Sequence, residues 1–115
     1  MNPYLSTRER ISTMQRWIVI QSILYYELDT SIVSDRKFDS VAKELVRMQK
    51  EFPEDAEASQ YYYVFENFDG NTGFDLPDRL SENDKKYLFH LANHILFLRG
   101  GRDGKEKASK RRSNH

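Results

Sequence analysis

Asp35 and Asp39 stand four residues apart in the stretch YYELDTSIVSDRKFD, residues 25–39, and Tyr25 and Tyr26 precede them across a short connection. On a helix the two aspartates share a face. Carboxylates beside a first helical turn can accept hydrogen bonds from ribose hydroxyls or an amide, and a tyrosine at the end of the preceding helix can supply a stacking ring. The set suits a nucleoside-like ligand. A purely structural role fits the same residues. Asp35 complements the helix dipole, worth ~0.3–1 kcal/mol. Asp39 precedes Lys43 by four, the favourable orientation for an ion pair of ~0.2–0.5 kcal/mol. The tyrosines can pack against the hairpin.

Three other groupings bear on chemistry. The loop DGNTGFD, residues 69–75, has acidic spacing suggestive of calcium, but Gly73 and Phe74 stand where an EF-hand needs an oxygen ligand and then glycine, and Leu80 stands where it needs glutamate. Phe68, Asp69, Phe74 and Asp75 make the same loop an aromatic-acidic surface suited to a protein partner, or else a tight turn pinned by its two rings. His90 and His94 have the spacing of a zinc pair but fall away from the apolar stripe, without a third ligand or an HExxH pattern. Lys110, Arg111 and Arg112, in the basic end of the chain, can attract phosphates without regard to sequence, or act only as a solubilising end. The residues offer no nucleophile–base pairing and no phosphate-cradling glycine loop, so catalysis by this domain alone is not expected. No metal is expected either.

Periodicity predicts the elements that position these groups. Ser6 and Glu9 have capping-box spacing and start a helix near Thr7. Ile11, Met14, Trp17, Ile18, Leu24 and Leu28 carry it to about residue 28. Ser34 caps a second helix, with Phe38, Val41, Leu45, Met48 and Phe52 as its stripe, and Pro53 ends it. The short connection makes the pair an antiparallel hairpin. DAEASQYYYVFENF reads as helix by its length and Ala/Glu start, with a strand at Tyr61–Phe65 as the competing pattern. DGNTGFDLPDR is a long loop. Ser81 and Asp84 open a last, nearly central helix on Leu88, Leu91, Ala92, Ile95 and Leu98, widened by Phe89 and Leu96, and Gly100-Gly101 stops it. The expected fold class is all-α: a small helical domain led by the hairpin, with a long loop and a final central helix.

Composition sets outer bounds. The 115 residues suit one domain, 1–101, with 102–115 as a disordered basic tail. Residues 101–115 carry +4 and the remainder −4, so an acidic body bears a basic tail, which argues against a broad nucleic-acid face. Deleting 102–115 is expected to leave the unfolding midpoint nearly unchanged. The absence of cysteine excludes disulfides and thiolate chemistry. No apolar run reaches the ~20 residues of a membrane helix, and no signal-peptide pattern opens the chain. A cytoplasmic protein is expected.

The stretch YYELDTSIVSDRKFDSVAKELVRMQKEFPE resembles the N-terminal helical domain, the Ia domain, of bacterial NAD-dependent DNA ligases. The resemblance rests on Tyr25, Asp29, Ser34-Asp35, Phe38-Asp39, Glu44-Leu45 and Pro53-Glu54, and covers about a third of the chain. It implies a site for the nicotinamide mononucleotide (NMN) half of NAD, with Tyr25, Asp35 and Asp39 at binding positions. Tyr26 stands where the family usually has histidine, and Phe38 where it has tyrosine. The family's adenylated lysine lies in a K-x-D-G motif on a separate domain; Lys37-Phe38-Asp39-Ser40 lacks the glycine and falls inside the hairpin. The chain is similar in this to short ligase-related proteins of phages and prophages of Gram-positive bacteria.

Two functions from different classes follow. One is a non-catalytic interaction module of the phage accessory type, binding a bacterial protein partner in the host cytoplasm. The other is a nucleotide-binding domain that senses or sequesters NAD or NMN. A DNA-binding accessory using the tail is a weaker third. No cofactor is required by any of these, and NAD binding is expected to be weak or absent because positions 26 and 38 have changed polar partners.

Overall fold

Ser6 caps the first helix in the way its spacing predicts. In the computed structural model, which describes residues 5–71 and 73–113 and side chains as far as Arg99, the Ser6 hydroxyl accepts from Glu9 N at 3.1 Å and Glu9 Oε1 accepts from Ser6 N at 2.9 Å. These bonds hold the Glu9 carboxyl below its ordinary pKa. Helix α1 then runs Thr7–Ser22 and continues into a π-helical turn, Ile23–Glu27. After the connection, Ser34 caps α2, Asp35–Glu51, by accepting from Lys37 N at 3.0 Å. The hairpin is as the sequence predicts, apart from the π turn. Two short helices follow, α3 (Pro53–Glu57) and α4 (Tyr62–Phe65), then a 3₁₀ turn at Pro77–Arg79 and α5, Glu82–Ser113. Among the described residues there is no strand, so the class is all-α.

The segment after Pro53 departs from the single helix expected of it. Pro53 ends α2 and also opens α3, a first-turn position that tolerates its missing N–H. The chain then leaves helical hydrogen bonding because side chains from α1 take its backbone groups. Gln60 N donates to Ser12 Oγ at 3.0 Å and Tyr61 N to Gln15 Oε1 at 3.1 Å. Gln15 is completely buried. Its Nε2 donates to Ser59 Oγ at 2.8 Å and to Gln49 Oε1 at 2.9 Å, and Gln49 Nε2 donates to the Phe65 carbonyl at 3.2 Å. This amide network clamps α3 and α4 to the hairpin.

Around the clamp lies one apolar cluster that includes Ile11, Ile18, Ile23, Leu24, Leu45, Val64, Phe65 and Leu88. The most enclosed helix is α1, which packs against α2, α3, α4 and α5. The sequence reading places α5 nearly centrally; the structure gives that position to α1. Leu88 and Ala92 of α5 are buried, Leu91, Ile95 and Leu96 are half-buried, and Leu98 is 67% exposed. Burial fades along α5, so Leu98 does not join the core stripe assigned to it. Gly100 and Gly101 lower helix propensity by about 1 kcal/mol each but do not forbid helix, and the backbone continues past them to Ser113.

Ser81 caps α5 by accepting from Asp84 N at 3.2 Å. The reciprocal half of the expected box is made by another residue: the Tyr63 hydroxyl accepts from Ser81 N at 3.1 Å and donates to Asp84 Oδ2. The neighbouring Tyr61 is fully buried, and its hydroxyl has no hydrogen-bond partner among the described residues. Burial, with Asp84 adding to it, pushes that phenol's pKa up. The unfolded phenol ionises near its ordinary value of 10.0, so this group makes stability fall as the pH rises past that value. Tyr61→Phe is expected to keep or raise stability by up to about 2 kcal/mol, since it deletes a desolvated hydroxyl. A denaturant midpoint that falls clearly in this variant would show that the hydroxyl is bonded.

Candidate functional site: an acidic-aromatic cavity at the end of the hairpin

The π turn places two successive rings at one end of the hairpin. Leu28 N donates to Ile23 O at 2.9 Å and Thr30 N to Leu24 O at 2.8 Å, and Asp29 leaves the turn with φ +55°, in the left-handed region that aspartate tolerates better than most residues. Tyr25 and Tyr26 both reach the surface, 54% and 40% exposed. Their rings meet edge to face at 4.8 Å. π turns of this kind occur often at functional sites.

These rings and the start of α2 enclose a cavity of about 280 Å³. Tyr25, Tyr26, Asp35, Phe38 and Asp39 all line it, so every residue assigned to the ligand site by sequence is brought to one cavity. Gln21, Ser22, Ser31 and Ser34 add polar groups from both helices and the connection. Asp35 and Asp39 are exposed. The ion pair from Asp39 to Lys43 does not form among the described residues; Arg47 pairs with Glu44 and Glu51, and Arg79 with Asp75. The structural alternative for Asp39 therefore loses its partner, while Asp35 keeps a first-turn position.

The loop assigned to a protein partner is tied to this cavity. Phe68 is half-buried against Phe65, edge to face at 5.1 Å. Asp75 pairs with Arg79 at 2.9 Å. Phe74 is 65% exposed and meets Tyr26 edge to face at 5.4 Å. Gly73 sits directly on the hairpin: a Cβ there would fall 2.0 Å from Ser22 Oγ and 3.3 Å from Phe38 Cζ. The loop thus rests on Phe38 at the ring position where a tyrosine would carry its hydroxyl. Gly70, with φ +86°, packs against Ala42 and Val46. Through these seats Asn71 joins the cavity lining. Sequence reasoning missed Asn71, Gln21 and Ser22. The glycines at 70 and 73 were the available sign that the loop approaches another element closely.

Elsewhere, His90 and His94 are exposed and stack at 6.5 Å on the outer side of α5. No group of three metal-ligating side chains occurs among the described residues. The side chains of Lys110, Arg111 and Arg112 lie outside the described residues. No helix among the described residues is long and apolar enough to cross a membrane.

The cavity thus lies at one end of a helical hairpin in a small all-α fold, with acidic and aromatic side chains in its lining. The family model described as DNA ligase-like, N-terminal NAD+-binding domain matches residues 5–60. Residues 5–60 are thus similar to a ligase-type N-terminal domain, whereas the 69–75 loop and α5 lie beyond the match. A DNA ligase of Pelotomaculum thermopropionicum (strain DSM 13744 / JCM 10971 / SI) is 39% identical over 46 residues, 40% of this chain and 7% of that ligase. The chain matches only a small part of that relative's length. No solved structure matches the chain.

Proposed function

We propose that the domain binds the nicotinamide mononucleotide half of an NAD-type ligand, without itself catalysing a reaction. The observation carrying this reading is the convergence of Tyr25, Asp35 and Asp39 on one cavity of about 280 Å³, within a segment that matches an NAD+-binding family model. The two carboxylates accept from ribose hydroxyls, and the tyrosine faces attract a cationic pyridinium ring. Tyr26 and Phe38 replace two polar contributors of the resembling family, each worth ~0.5–1.5 kcal/mol. Binding is therefore weak, with an affinity lower by roughly fivefold to 150-fold than in a site that keeps both groups. Sensing or sequestering the ligand fits such a module.

Calorimetry with NAD, NMN and AMP tests the reading. NMN should bind, AMP should bind less well, and Asp39→Ala and Asp35→Ala should each weaken NMN about tenfold, as expected for hydrogen bonds to charged groups. Equal affinity of wild type and both variants would remove the carboxylates from the site.

A non-catalytic contact with a bacterial protein is the second reading, favoured by Phe74, 65% exposed at the loop tip. Phe74→Ala should then lose a partner captured at low salt. Contact of Lys110, Arg111 and Arg112 with nucleic acid, a cytoplasmic location and a phage or prophage setting rest on sequence alone.

A further inference from the structure

The loop beyond the family match contributes a polar group whose orientation is fixed. Asp69 holds Asn71 twice: its Oδ1 accepts from Asn71 N at 3.0 Å and its Oδ2 from Asn71 Nδ2 at 3.0 Å. An ionised carboxylate accepts only, so the Asn71 amide must turn its nitrogen to Asp69. Among the described residues, one Nδ2 hydrogen and the carbonyl oxygen then have no other partner, beside the cavity that Asn71 lines. The loop backbone is held on both sides of this residue. Gly70 packs on α2, and Gly73 sits on Ser22 and Phe38 with no space for a side chain.

We propose that Asn71 is a specificity-determining residue that reads a primary carboxamide on the ligand and selects it over the corresponding carboxylic acid. This inference rests on the proposed nucleotide site and adds to it a residue outside the matched segment. A primary amide both donates and accepts, as does Asn71, so the two can pair through N–H to oxygen in both directions. A carboxylate at the same place offers no donor to the Asn71 carbonyl. It also enters a cavity lined by Asp35 and Asp39, beside an Asn71 held by Asp69, all three acidic. A bound ligand covers the Asn71 amide, and a site that hydrogen-bonds a donor then rejects the analogue lacking it, because the covered polar group is left unpaired. Phe38 is part of the same device. The loop rests against its Cζ, so the phenylalanine at this position accommodates the wall that carries Asn71.

The test compares NMN with nicotinic acid mononucleotide, two probes that differ only in amide against acid. Titrations use the full chain and Asn71→Ala, with thermal unfolding to verify that each is folded. Wild type should prefer the amide by about tenfold or more, and Asn71→Ala should reduce that preference at least threefold. Asn71 is exposed, so the variant should fold as wild type does. If Asn71→Ala fails to fold, Asp69→Asn provides the second readout: it weakens the hold on Asn71 and should lower the same ratio. An unchanged amide-to-acid ratio in a folded variant, with NMN still bound through Asp39, overturns the role of Asn71 and leaves the proposed site intact. Binding of neither probe by wild type at millimolar concentration overturns both.

Discussion

Gln15→Ala is expected to destabilise the domain by about 3 kcal/mol, a large part of the ~5–15 kcal/mol that holds a typical small domain together. The reason is the number of groups that one side chain satisfies. Its oxygen takes the Tyr61 N–H, and its nitrogen binds both Ser59 Oγ and Gln49 Oε1. Truncation leaves the Tyr61 N–H without its acceptor in a region that is itself buried, at roughly 1–3 kcal/mol, and removes a donor from two further oxygens. It also opens space in the middle of α1. Gln15→Leu would fill the space but leave the N–H unpaired, so it should recover only part of the loss. Chemical denaturation of the three proteins measures this. A Gln15→Ala midpoint close to wild type would mean that the α3–α4 segment finds other partners.

Leu45→Ala should cost ~2–5 kcal/mol, the range for a buried leucine whose cavity does not collapse. Leu45 is fully buried on α2 where α1 and α2 face each other. The informative comparison is Leu91→Ala. Both leucines belong to apolar stripes that sequence assigns to the core. Leu91 is only half-buried on α5, where burial is already fading. Its truncation should therefore cost clearly less, about 1–2 kcal/mol by the area it covers. Equal losses at the two positions would place Leu91 of α5 as deep as Leu45 of α2.

How much of this was legible in the sequence depends on whether the determining interactions are local. Ser6 with Glu9, and Ser34 before its helix, act over three residues, and both caps are found. The hairpin and the convergence of Tyr25, Asp35 and Asp39 follow from one short connection between two periodic stripes. Gln15 was not legible as a clamp, because its partners lie 34 to 46 residues away. A polar residue on the same face as Ile11 and Ile18 was its only local trace. The break at residues 58–61 depends on that clamp, and the one-helix reading failed with it. Tyr63 replaces half of the Ser81 capping box from 18 residues upstream. The loop seemed free for a partner because aromatic and acidic residues suit an exposed surface. The seat of Gly73 on Ser22 and Phe38, which makes the loop a cavity wall, is a tertiary contact across half the chain.

Chemical-shift mapping of the amide spectrum during titration with NMN tests the central claim, that the cavity at the end of the hairpin is the ligand site. Shifts should concentrate at residues 21–26, 31–39 and Asn71, saturate in the millimolar range, and nearly vanish in Asp39→Ala. Shifts confined to α5 or to residues beyond Gly101, or an unchanged response in Asp39→Ala, would contradict it.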